Sequence, residues 1–130
     1  MILTVTPNPA RDTTLTLAEV WWGETYGIPR AVARAGGKGL NVARVLTQQG
    51  EQAIATGPVG EADFAFFSED LGEPADFVPV AMSTRTSYAV VEDARTTVLN
   101  EKGGPLTEQE WSRVLDAVSD HARRARSIVV

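Results

Sequence analysis

The chain has no cysteine at all and a single histidine, His121. Disulfide scaffolds and cysteine-ligated zinc or iron–sulfur sites are therefore excluded. One histidine also excludes a histidine-rich metal site and any Cys–His nucleophile pair. Long apolar runs are missing too. No stretch approaches the roughly 20 apolar residues of a spanning helix. The start, Met1-Ile2-Leu3-Thr4-Val5-Thr6-Pro7, has neither the basic lead nor the apolar length of a secretory signal. A basic excess is also absent: 12 Lys+Arg face 17 Asp+Glu, a net charge of −5, which argues against a nucleic-acid partner. Neither nucleic acid nor membrane is expected as a partner, and the lack of cysteine fits a reducing, cytoplasmic compartment. What remains is an ordinary globular composition over 130 residues, a length that suits one domain.

Periodicity and turn residues place the elements. Residues 2–6 are a β-branched run stopped by Pro7-Asn8-Pro9. Residues 13–17 alternate polar and apolar, as a half-buried strand does, and residues 29–34 read as a second extended segment. Two such strands ahead of any helix predict a small sheet separate from a buried parallel core. Residues 40–49 carry Val42, Val45 and Leu46 ahead of Gly50 and predict a helix of about three turns. Residues 52–56 read as a buried strand, and Gly57-Pro58-Val59-Gly60 as the loop after it. Residues 62–71 place Phe64, Phe67 and Leu71 at helical spacing. Residues 77–80, 87–92 and 96–99 read as strands, the last two joined by a hairpin turn at Asp93-Ala94-Arg95. Thr107 and Glu110 form a capping-box pattern. It precedes a helix whose apolar face is Trp111, Val114, Leu115, Val118 and Ala122. Residues 127–130 start another buried strand. The mixture predicts an α/β fold.

The glycine-rich turn Ala35-Gly36-Gly37-Lys38-Gly39 carries the most chemical information. Glycines let backbone amides approach a ligand without a Cβ in the way, and the helix behind them offers unpaired amides and a positive dipole end. Residues 25–44 contain Arg30, Arg34, Lys38 and Arg44 and no acid, whereas residues 61–76 hold six acids and no base. The turn is either a plain structural turn or a phosphate cradle. It is not a Walker A loop, because Val32 stands where that loop needs its first glycine, and it is not a GxGxxG fingerprint. Asp12 follows a strand-ending turn, where a carboxylate either satisfies its own turn amides or binds ligand hydroxyls. Arg85 enters a strand, where an arginine is usually a solvated edge charge, and Asn100-Glu101 ends one.

Taken in order, several segments resemble the PfkB, ribokinase-like carbohydrate kinase family, and within it the 1-phosphofructokinase and tagatose-6-phosphate kinase branch. They are Thr4-Val5-Thr6-Pro7-Asn8-Pro9-Ala10 with Asp12, then Ala33-Arg34-Ala35-Gly36-Gly37-Lys38-Gly39-Leu40-Asn41-Val42-Ala43-Arg44-Val45-Leu46. Thr56-Gly57-Pro58-Val59-Gly60, Ala75-Asp76-Phe77-Val78, Thr84-Arg85-Thr86 and Thr97-Val98-Leu99-Asn100-Glu101-Lys102-Gly103 follow. The resemblance implies a ribokinase-like α/β fold. A central, mostly parallel sheet is flanked by helices, and a small β lid is built from strands near 13–34 and 86–99. It implies that Asp12 and Asn41 hold sugar hydroxyls, that Gly36 and Gly37 approach the sugar, and that Lys38 and Arg85 bind the phosphate already on the substrate. It also implies phosphoryl transfer from ATP with Mg²⁺, most simply fructose 1-phosphate to fructose 1,6-bisphosphate, with tagatose 6-phosphate or fructose 6-phosphate as other acceptors. The sugar phosphate is the implied partner, together with a homodimer formed through the β lid.

The family's catalytic aspartate lies in a Gly-Ala-Gly-Asp segment that does not occur in these residues. Residues 1–130 thus match the N-terminal, sugar-binding part of such a kinase, a truncated form. The base, the anion hole and the residues for ATP and Mg²⁺ are expected outside it. On that expectation the chain alone is inactive in catalysis, and its other reading is a non-catalytic sugar-phosphate-binding fragment or a kinase remnant. An uncovered strand edge and apolar faces would favour association. Arg11, Glu61 and residues 61–74 depart from the family pattern, as does Tyr26-Gly27 before Arg30.

Overall fold

The computed structural model describes residues 1–72 and 75–130. The main sheet begins with β1 (Ile2–Val5), whose β-branched and leucine residues are almost wholly buried. It runs parallel to β4 (Ala53–Gly60) on one side and to β8 (Ser127–Val129) on the other, and β5 (Ala75–Val80) pairs parallel with β4. The strand order is β5-β4-β1-β8. A second sheet of four strands combines β2 (Ala10–Thr16), β3 (Ala31–Gly36), β6 (Arg85–Val91) and β7 (Thr96–Asn100) in the order β3-β2-β6-β7. In it β2 is antiparallel to β3 and parallel to β6. The separate small sheet foreseen from the alternating early strands is thus observed, and β6 and β7 form the expected hairpin.

Helices cover the main sheet. One core joins Leu40, Val59, Phe67 and Phe77 under α1 (Lys38–Gln48) and α2 (Phe64–Leu71), which follows a 3-10 turn at Glu61–Asp63. Phe67 is fully buried, with its ring edge-on to Phe66 and Phe77 at 5.8 Å, a favoured aromatic arrangement. Ala43 meets Ala53 and Ala55 in a second cluster, where small side chains let α1 lie close on β4.

Three expectations need correction. Residues 57–60 are not a loop but the second half of β4. Pro58 is tolerated because β1 pairs with β4 only as far as Thr56, so beyond it β4 has β5 alone as a neighbour. The strand at residues 127–129 is not buried: β8 is the sheet edge, and Ile128 is half exposed. The inner face of α3 (Glu108–Ala122) is also rotated from the expected one. Glu110, Val114 and His121 are buried, whereas Trp111 and Leu115 are exposed. The two buried polar residues are each satisfied. A Glu110 carboxylate oxygen accepts from the Ala81 amide at 2.7 Å, and His121 Nε2 lies 2.6 Å from Asp76 Oδ2.

The capping box is complete. Thr107 Oγ1 accepts from the Glu110 amide, and the Glu110 carboxylate accepts from the Thr107 amide at 2.8 Å. The hydrogen bond from the Ala81 backbone, followed by those from Thr107, holds the Glu110 carboxyl below its ordinary range. A lowered carboxyl contributes stability above its ordinary value, and that contribution is lost as the pH falls through the lowered one. Thr107→Ala removes the cap and is expected to cost about 1 kcal/mol, read as a lower urea midpoint with an unchanged slope. An unchanged midpoint would show that the box contributes nothing.

Candidate functional site

The site is built where β1 ends and α1 begins. Three glycines stand in this turn, and each meets a neighbour at close range. Gly37 adopts a φ of +129° and is the helix N-cap, without a side-chain cap of its own. A Cβ on Gly37 would come within 2.5 Å of Thr6 Cγ2, and one on Gly39 within 2.5 Å of Thr6 Oγ1 and 2.8 Å of the Val5 carbonyl oxygen. The cap comes instead from a distant residue: the buried Leu40 amide donates to Thr6 Oγ1 at 3.1 Å. That bond satisfies one of the first-turn amides every helix leaves unpaired. The glycines therefore do structural work, seating α1 against β1, beside any role toward a ligand.

Gly36 ends β3, and a Cβ there would overlap the Asp12 carboxylate. Asp12 lies within β2, not in the turn before it, and is paired in register with Arg34 on β3 and Ser87 on β6. Residues in register on neighbouring strands project to one face. Asp12, Arg34 and Gly36 therefore share a face of the second sheet with Arg85, which pairs with Ala10. An open cavity of about 410 Å³ lies against this face, lined by Asp12, Thr14, Arg34, Ala35, Asn41 and Arg44. Asn41 reaches it from the first turn of α1.

Electrostatics distinguish the groups around it. Burial raises the Asp12 carboxyl above its ordinary value, against the opposing pull of the Arg85 and Arg44 guanidiniums. The Arg85 guanidinium donates to the Asn8 carbonyl oxygen at 3.3 Å and to that of Glu101 at 3.5 Å. The Glu101 carboxylate accepts from the Thr86 amide at 2.7 Å, so the Asn100-Glu101 segment anchors the start of β6. Lys38, the first residue of α1, is exposed and is not among the residues lining the cavity. Asp12, Gly36 and Arg85 thus share one face of the sheet and Asn41 meets Asp12 at the cavity from α1, while Gly36, Gly37, Lys38 and Arg85 are not among its lining residues.

Sequence reasoning missed the partners of the basic stretch. Arg44 is not a free cation: its guanidinium lies 2.8 Å from Asp70 Oδ2, and Asp70 belongs to the acid-rich segment. Arg11, on the opposite face of β2, lies 3.5 Å from Asp63 and 4.3 Å over the Phe66 ring. Two departures from the family pattern, Arg11 and residues 61–74, therefore meet each other. The complementary charge of the two segments, already visible in the sequence, was the signal that could have found these pairs. A larger cavity of about 480 Å³ lies at the far end of the second sheet. Its one buried carboxylate, Glu92, is already held by Arg95 at 2.8 Å and by the Val20 amide.

A model of the pfkB family of carbohydrate kinases matches residues 16–127. Among solved structures, the chain is 26% identical to a protein from Thermotoga maritima described as a possible 1-phosphofructokinase, with a TM-score of 0.89. That match covers 98% of this chain and 43% of the other. It is 25% identical to the phosphofructokinase-2 of Escherichia coli in complex with fructose-6-phosphate, with a TM-score of 0.84, over 92% of this chain and 41% of that one. A tetrameric inhibited form of the same enzyme matches with a TM-score of 0.82 and the same identity and coverage. The chain spans about two fifths of the length of these proteins.

Two measurements check the site's physics without a ligand. Thr6→Val strands the buried Leu40 amide and is expected to cost about 1–3 kcal/mol in urea denaturation; a loss below about 0.5 kcal/mol would show that α1 is seated by packing alone. Asp12 with a raised carboxyl lowers stability once ionised. Asp12→Asn should therefore raise the urea midpoint at pH 7, with the gain vanishing as the pH falls below 3.8, the ordinary value. A destabilised Asp12→Asn at pH 7 would contradict the burial account.

Proposed function

The chain belongs to the pfkB family of carbohydrate kinases, and on that footing we propose that the cavity between the second sheet and α1 binds a phosphorylated hexose for phosphoryl transfer. Fructose 1-phosphate, converted to fructose 1,6-bisphosphate, is the preferred substrate of this reading. The observation that carries it is the convergence of Asp12 and Asn41 on one cavity, with Gly36 packed against the Asp12 carboxylate. A carboxylate accepts hydrogen bonds and an amide both donates and accepts, a pair suited to adjacent hydroxyls. In this reading the backbone of Gly36 and Gly37 approaches the sugar, while the space their missing Cβ atoms leave is taken by the Asp12 carboxylate and Thr6. Lys38 and Arg85 supply positive charge for the phosphate the sugar already carries, Lys38 beside the amides of a helix start.

Phosphoryl transfer relies on positioning and on neutralising charge. In this reading the chain's residues bind and orient the acceptor and exclude water from one side of it. The bound cavity residues lack a second carboxylate that could act as base, and Asp12 serves the hydroxyls. Among the described residues no group of three or more His, Asp or Glu side chains could hold a metal ion. We assign the sites for ATP and Mg²⁺ to the remaining length of such kinases. Residues 1–130 are then the N-terminal sugar-binding part, and the second sheet is its lid.

The far face and end of that sheet expose Trp21, Trp22 and Leu99, which supports self-association through the lid. Among the described residues no helix is long and apolar enough to cross a membrane. Sedimentation should show a dimer that Trp22→Ser weakens; a strictly monomeric chain would rule the lid contact out.

Calorimetry tests the ligand. Lys38→Ala and Arg85→Ala should each weaken fructose 1-phosphate about 10- to 100-fold, the worth of a hydrogen bond to a charged group, while hardly changing the binding of fructose. An equal loss for both ligands would refute the phosphate assignment.

A further inference from the structure

We propose that Asp70 is a positioning residue for the sugar site, acting through Arg44 on Asn41 and Asp12; this rests on the cavity being the sugar site. Arg44 follows Asn41 by three residues in α1 and so lies on the same helix face. One of its terminal nitrogens donates to Asn41 Oδ1 at 3.4 Å. The other donates to the Ala35 carbonyl oxygen at 3.2 Å and to Asp70 Oδ2 at 2.8 Å. The same Asp70 oxygen accepts from the Ala35 amide at 3.0 Å. Both polar groups of Ala35 on the edge strand β3 are thus taken, its amide by α2 and its carbonyl by α1. A single carboxylate ties three elements together next to Gly36.

Two consequences reach the cavity. With its Oδ1 engaged by Arg44, the Asn41 amide is turned so that its NH₂ group is left to donate to a ligand oxygen. And because Asp70 holds the Arg44 guanidinium, that cation is kept from collapsing onto Asp12, which stays available to accept from hydroxyls. Both side chains of the pair are three-quarters buried, where an ion pair is screened less than at the surface. Among the described residues the hydrogen bonds to Asp70 come from Arg44 and the Ala35 amide, so its influence passes through Arg44 and the β3 backbone.

The Asp70→Asn chain keeps an acceptor for the Ala35 amide and loses the charge. Its Arg44 is expected to swing toward Asp12, lowering the Asp12 carboxyl titration followed by carbon NMR in the ligand-free protein and shifting the Asn41 side-chain NH₂ resonances. Calorimetry should show about tenfold weaker binding of both fructose and fructose 1-phosphate, unlike the phosphate-selective loss expected at Lys38 and Arg85. Arg44→Lys keeps a charge for Asp70 but lacks the fork to Ala35 and Asn41, and should also move the Asn41 resonances. If Asp12 titration and Asn41 resonances stay unchanged in both variants, the positioning role is overturned, whether or not sugar binds. If they move but the unaltered chain binds neither sugar, the positioning link stands and the sugar-site reading fails.

Discussion

The hydrogen bond from the Leu40 amide to the Thr6 hydroxyl sets the place of everything around the site. Thr6 lies just past the end of β1, in the middle of the main sheet, and Leu40 in the first turn of α1. With Gly37 and Gly39 packed on the same threonine, the start of the helix has one position relative to the sheet. Asn41 is the next residue and therefore enters the cavity at a fixed height. Gly36 is one residue ahead of the cap and ends the strand that lies beside Asp12. The geometry of the cavity lined by Asp12 and Asn41 is thus inherited from a packing joint at Thr6.

A second constraint is charge pairing between segments far apart in sequence. The chain concentrates bases around the glycine turn and acids some thirty residues later. Folding brings them together as Arg11–Asp63 and Arg44–Asp70, which fasten the 3-10 turn before α2 to β2 and α2 to α1. The more exposed of the two, Arg11–Asp63, contributes little to stability on its own. The value of both pairs is geometric, since they commit Arg11 and Arg44 to carboxylates of the protein itself. By contrast, among the described residues the Arg85 guanidinium hydrogen-bonds only the carbonyl oxygens of Asn8 and Glu101.

Much of this was legible in the residues. The Thr107–Glu110 box, the helix after the glycine turn and the separate alternating strands all follow from local rules, and all are observed. Local rules failed where a long-range neighbour decides. Gly57-Pro58 reads as a turn, yet β4 continues because the register of β1 ends just before the proline. Trp111 reads as core, yet α3 turns Glu110 and His121 inward because Ala81 and Asp76 wait there as partners. In the site, the residue types were visible, but the close approach of the Asp12 carboxylate to Gly36 and the pairing of Arg44 with Asp70 depend on which strands and helices become neighbours. No spacing within either segment encodes that.

The most direct measurement is a titration of the isotope-labelled chain with fructose 1-phosphate, followed through backbone amide shifts. The account predicts the largest changes at Asp12, at Gly36 to Asn41 and at Arg85, with the amides of residues 18–28 and 92–95 unmoved. Changes confined to that far end of the second sheet, or none at the glycine turn at saturating ligand, would contradict it.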